Sequence, residues 1–303
     1  FIFMLLLTWF YIQFGIKSQI FQFIFSGFQA AVIALIFMGT YRIGKHALIN
    51  VKLFIIGLIS AAAHFAGISF FIVLPLAGIA YILLMKKSKT NLTLIILLII
   101  FCCGFLFQQN HSEQTTITAF AKDEITNSSP VTIFFSGLKG GLLTFGGAYT
   151  VIPFIQQDAV INNGWMTNEQ FLDGIALSGI LPAPLIIFTT FVGYFAGSWL
   201  GALIMTAAIF LPAFCFTLIG HNYIQKVTEN KALHNFLDGV TAGVIGLIAV
   251  TAIKLFQAAI TDVLAIAIFI VALLALYFIK SKFTIVFVII GAGAISMLYH
   301  ILN

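Results

Sequence analysis

The chain is predicted to be an all-α integral membrane protein with about 10 to 11 hydrophobic spans, some of them broken or re-entrant, in an inverted-repeat arrangement. Of its 303 residues 61% are hydrophobic and 8% charged. Apolar runs of about 20 residues recur, the length of helix that crosses about 30 Å of hydrocarbon. The basic residues fall in short loops between those runs, where topology accounts for the net charge of +5 and no nucleic-acid partner is expected.

In chain order, the opening run 1–14 is too short to cross unaided and has neither the basic flank nor the small-residue cleavage site of a signal peptide. It is expected to be the tail of a longer span. Spans follow at 20–41, 53–66, 69–85, 91–107, 132–155, 171–196, 198–220, 236–256, 263–279 and 284–300. If each crosses once, the loops holding Arg42, Lys45 and Lys52, then Lys86, Lys87 and Lys89, then Lys226 and Lys231, then Lys280 and Lys282 share a side. The positive-inside rule makes that side cytoplasmic. The short pair 53–66 and 69–85 is alternatively re-entrant, which leaves the parity unchanged. One loop breaks the pattern: 156–170 has Asp158 and Glu169 but no Lys or Arg, although single crossings place it in the cytoplasm.

A shift of 212 positions lays Tyr11-Ile12-Gln13 on Tyr223-Ile224-Gln225, and Gly27, Ala30, Val32, Ile33, Leu35 and Ile36 on Gly239, Ala242, Val244, Ile245, Leu247 and Ile248. The spans near Gly27 and Gly239 run in opposite senses, so the repeats are expected to be inverted. This divides the chain into 1–107, an incomplete first repeat with a connecting span; 108–130, a polar extracytoplasmic linker; and 131–303, the second repeat. The segment 132–210 has no counterpart before Phe1, so about eighty further residues are expected to precede it.

Two spans carry helix breakers at bilayer depth: Phe145-Gly146-Gly147-Ala148-Tyr149, and Pro182-Ala183-Pro184. Irregular backbone survives in a membrane only where protein or a watery cavity satisfies it. Such breaks are candidate solute sites, where half-helix N-termini offer positive potential to an anion.

The motifs Gly141-Leu142-Leu143-Thr144-Phe145-Gly146-Gly147-Ala148-Tyr149 with Ile152-Pro153, Gly164-Trp165-Met166-Thr167, Phe171-Leu172-Asp173-Gly174-Ile175-Ala176-Leu177, Pro182-Ala183-Pro184, Gly193-Tyr194, Gly201-Ala202 and Leu211-Pro212-Ala213-Phe214 occur in that order. In order and spacing the sequence resembles the chromate ion transporter (CHR) family, well over 134–256 and more weakly over 1–84. The resemblance implies a multi-pass protein of the bacterial inner (plasma) membrane that exports chromate, and related oxyanions such as sulfate, by gradient-driven alternating access. Ala183 stands where the family has a central glycine, and its Cβ resists a left-handed backbone there.

A tetrahedral oxyanion needs donors and positive potential to replace its hydration. Gly146 and Gly147 can present backbone N–H groups, with helix packing as their other reading. Thr144 and Tyr149 can donate hydroxyls, or else bond a carbonyl of the preceding turn and anchor at the interface. Lys139 is the nearest counter-charge, or a snorkelling residue. Pro182 and Pro184 break their span, as hinge or static kink. Asp158 and Asp173 are candidates to carry a coupling proton, because burial penalises the charged form; helix-start stabilisation is the alternative for Asp173. The expected partners are chromate or a similar oxyanion, the lipid bilayer, a coupling proton and a second copy in a homodimer. Cys102, Cys103 and Cys215 lie in apolar spans without ligand spacing and read as packing residues, so no metal or other cofactor is expected. No catalytic triad, phosphate-binding loop or HExxH pair is apparent, and an enzyme is not expected. An anion channel or a flippase built on the same broken spans is the competing class.

Overall fold

A run of apolar residues folds as one helix only while each carbonyl finds its N–H four residues on, and in this protein that ladder fails where the breakers stand. In the computed structural model, which describes residues 1–15, 18–85, 128–144, 147–219, 230–279, 281 and 283–302, every regular element among the described residues is helical. They are α1 (Ile2–Phe10, continued by a wider turn over Tyr11–Gly15), α2 (Gln19–Ala47), α3 (Val51–Phe65), α4 (Phe70–Met85), α5 (Pro130–Leu142), α6 (Ile152–Gln156), α7 (Asn168–Ile180), α8 (Phe188–Ile219), α9 (Lys231–Ala259), α10 (Val263–Phe278) and α11 (Thr284–Leu302). The expected span 91–107 and most of the linker 108–130 lie outside the described residues. Among those described, α2, α9 and α11 are long and apolar enough to cross a membrane, as is Leu185–Leu218 by length and composition alone, since it turns back at Gly197; Ile2–Phe14, α3, α4 and α10 are shorter apolar helices. Large apolar side chains such as Trp199, Leu203, Phe214 and Phe287 are exposed, as a helix surface solvated by lipid allows.

The structure separates into two compact units: 1–41, 119–218 and 251–303 form the first, 42–118 and 219–250 the second. In the second, α3 packs against α4, and Gly239 on α9 lies against Ala77, Gly78 and Tyr81 of α4, where a Cβ would clash. In the first, Gly27 on α2 lies in the same way against Ala292 and Ser296 of α11. These are the two glycines that the 212-position shift superimposes. The same shift carries the bounds of α2 onto those of α9, and the start of α3 onto the start of α10. It also carries the N-cap Asn50, which accepts from Leu53 N, onto the N-cap Asp262, which accepts from Ala265 N.

The segment 130–219 departs from a straight-crossing arrangement. α5 has 13 residues, about 20 Å at 1.5 Å per residue, short of the bilayer core. The chain then reverses. Gly140 packs against Val151 and Ile155, Lys139 reaches Asp158 at 2.9 Å, and Trp165 Nε1 donates to Ser128 Oγ at 2.7 Å. These pairs define an antiparallel hairpin centred near Gly147. α7 is also 13 residues long, and Gly174 packs against Phe191 across a second reversal at 181–187. The backbone of Ser128 donates to Ala196 O at 2.9 Å, so both hairpins begin and end together. α8 itself folds back at Gly197 and Ser198, the latter with φ of 55° and ψ of −145°. Across that turn Thr190 and Thr206 hydroxyls meet at 2.8 Å, a pair that a continuous helix would hold about 24 Å apart.

The single crossings expected at 132–155 and 171–196 are therefore corrected to two re-entrant hairpins opening from one face. Residues 156–170 return to the face of Ser128, so the acidic loop no longer breaks the positive-inside pattern. Two crossings disappear together, so the parity that assigned the other loops stands. Cys215, expected to pack, is exposed on α8.

Candidate functional site

Each hairpin tip is built by residues that cannot continue a helix. In the first, α5 ends at Leu142, the Thr144 hydroxyl donates to Gly140 O at 2.6 Å, and Gly147 takes φ of 146° and ψ of 166°, a region open essentially to glycine alone. Among the described residues other than its chain neighbours, no atom lies within 4 Å of where its Cβ would stand; conformation, not crowding, requires the glycine. A short 3-10 turn over Ala148–Val151 then leads into α6. Gly146 lies outside the described residues. In the second tip, α7 starts at the capping box of Thr167 and Gln170 and stops at Leu181, which the following Pro182 holds extended at ψ of 143°. Pro182, Ala183 and Pro184 are exposed. Ala183 N donates to Leu181 O at 2.8 Å, and among the described residues Ser198 is the one non-glycine with positive φ. Ala183 thus carries no left-handed strain.

The two tips meet: the turn Ala148–Val151 packs against the turn Leu185–Ile187. Each turn opens a returning arm, so the positive end of each arm's backbone dipole lies at the junction. Tyr149 flanks it, half-buried, with its ring against Gly39 of α2 at a distance that admits no Cβ. Tyr149 thus lies in one of the turns that meet, Gly147 and Pro184 cap the two turns, and Thr144 and Pro182 precede them along the chain.

Lys139 and Asp158 are joined to each other across the arms of the first hairpin. The Asp158 carboxylate is 6% exposed and the Lys139 side chain 36%. Asp158 also accepts from Asn162 Nδ2 at 2.9 Å, while Asn163 Nδ2 donates to its backbone carbonyl at 2.8 Å. Asp173 belongs to α7 and has different partners. It is buried; Tyr11 Oη donates to its Oδ2 at 2.6 Å and Gln29 Nε2 to its Oδ1 at 2.9 Å. Neither Tyr11 nor Gln29 was singled out by sequence as a site residue. The available signal was polarity inside apolar runs, together with the place of Tyr11 in the internal repeat.

Residues 131–297 match the family described as chromate transporter. A chromate transport protein of Pseudomonas aeruginosa is 45% identical over 97% of this chain and 70% of its own length. The chain belongs to the chromate transporter family. A second chromate transport protein, from Cupriavidus metallidurans, is 29% identical over 99% of this chromate transporter and 73% of its own length. A probable one from Synechococcus elongatus is 26% identical over 99% and 74%. No solved structure matches this chromate transporter. The family match covers both hairpins, so the residues at the tips belong to the matched region.

Proposed function

We propose that this protein exports chromate, and related tetrahedral oxyanions such as sulfate, across a bacterial plasma membrane by gradient-driven alternating access, and that the anion binds where the two hairpin tips meet. The observation that carries this is the packing of 148–151 against 185–187 at the ends of two re-entrant hairpins. Irregular backbone at that depth fits a solute site, and the positive ends of two returning arms suit an anion. Tyr149 and the backbone of Gly146 and Gly147 are its donors, whereas the one hydroxyl hydrogen of Thr144 is given to Gly140 O; Pro182 and Pro184 keep the second tip from closing into helix. Lys139 supplies positive charge from the first hairpin.

Of the two carboxylates that sequence offered as proton carriers, Asp173 is the better. Asp158 is engaged by the Lys139 ammonium at 2.9 Å, across the arms of its own hairpin. The donors to Asp173 are neutral. The test is chromate uptake into inverted membrane vesicles carrying the protein, with and without a proton gradient and with sulfate as competitor. Gradient-dependent accumulation that sulfate reduces is expected. Accumulation no greater than in empty vesicles, with the protein folded and inserted, overturns the assignment; conductance without coupling favours the channel class.

A further inference from the structure

Asp173 is held at both oxygens by donors that differ in what else they can do. The Tyr11 hydroxyl both donates and accepts, whereas the Gln29 amide presents either its NH2 or its oxygen to a given neighbour and must turn over to exchange them. When the carboxylate is ionised both contacts need a hydrogen from the partner, as the arrangement of Tyr11 Oη on Oδ2 and Gln29 Nε2 on Oδ1 provides. Consider then a proton delivered from water to the carboxylate. Placed on the Oδ1 lone pair that accepts from Gln29, it meets an amide N–H that cannot accept it, and a hydrogen bond there demands a half-turn of a half-buried Gln29. Placed on Oδ2, it donates to the Tyr11 oxygen once the phenol hydrogen swings aside, and Gln29 keeps its bond to Oδ1.

We propose that Gln29 directs the proton to Oδ2 of Asp173 and that Tyr11 is the partner that reads its arrival, donor to the carboxylate and acceptor from the acid. This rests on Asp173 as the coupling group. One O–H bond forms at Oδ2, with the proton taken from water, and the same bond breaks when the proton leaves. Tyr11 and Gln29 are positioning residues in this scheme, and they come from the turn after α1 and from α2, so the proton state of the second hairpin is registered on two other elements. Tyr11 is fixed for the task by the rings of Phe25 and Phe191, with centroids at 4.9 and 5.2 Å.

The titratable groups bearing on Asp173 are Tyr11 and, one turn back on its own helix, Glu169. α2 contributes the non-titrating Gln29. α11 meets α7 through Ile285 and Ile289 at Gly179, and its His300 is stacked on Phe23 at its C-terminal end. The segment 188–196 presents Phe191 at Gly174.

The experiment is the pH profile of chromate uptake in inverted vesicles, at a fixed pH difference, for the unaltered protein and the variants Tyr11→Phe, Gln29→Met and Asp173→Asn, each checked for monodispersity in detergent. Asp173→Asn is expected to abolish gradient-driven accumulation and flatten the profile. Tyr11→Phe and Gln29→Met each remove a donor to the ionised form and are expected to move the profile toward higher pH by about one unit. A flat profile in Asp173→Asn with unmoved profiles in the other two overturns the roles of Tyr11 and Gln29 while leaving Asp173 as the coupling group. An unchanged profile in Asp173→Asn overturns the coupling role itself, and these roles with it. Should Gln29→Met fail to insert, Tyr11→Phe decides, because its ring keeps the same packing.

Discussion

The ion pair of Lys139 and Asp158 ties the arms of the first hairpin together, and Lys139 is proposed to serve transport as well. Replacing Lys139 by Met leaves a carboxylate that is 6% exposed without its cation, at a cost of about 2 kcal/mol. Lys139→Met is expected to show a clear fall in Tm. The double variant Lys139→Met with Asp158→Asn is expected to recover Tm but not chromate uptake, because the pair's mutual need is gone while the anion's counter-charge is still missing. Recovery of both would confine Lys139 to folding. At Gly147 the demand is conformational. With φ of 146°, Gly147→Ala is expected to cost about 1 to 3 kcal/mol, read as a Tm loss in detergent. Ala183→Gly is expected to leave Tm almost unchanged, because Ala183 is not left-handed. Sequence indicated the breakers Gly147, Pro182 and Pro184. It could not reveal that Lys139 faces Asp158, since that contact depends on the direction of the chain after the break.

At the scale of elements, the hairpins explain both what was legible and what was not. A hydropathy count registers the length of an apolar run and is blind to a reversal within it, so two half-length arms over 132–155 or 171–196 look like one crossing. The information that did distinguish them was electrostatic: Asp158 and Glu169 in a loop without Lys or Arg. The proposed repeat was legible because it aligns small residues at helix contacts, Gly27 and Gly239, and the cap positions align as well. Asn50 and Asp262 start α3 and α10 by accepting a third-residue N–H. Asn50→Ala and Asp262→Ala are each expected to cost about 1 kcal/mol, equal within error in a thermal-shift assay; a large effect of one alone would break the equivalence.

At the scale of the whole molecule, two hairpins open toward one face and meet at their tips, where the anion is proposed to bind. The direct measurement is the sidedness of single cysteines in a background where Cys102, Cys103 and Cys215 are serine. Ser129 and Asn163 bracket the first hairpin, and Thr217 marks the far end of α8; all three are exposed. A membrane-impermeant maleimide applied to intact cells is predicted to label Ser129→Cys and Asn163→Cys alike, and Thr217→Cys only after the cells are opened. Labelling of Ser129→Cys and Asn163→Cys from opposite faces would restore a straight crossing at 132–155 and contradict the site.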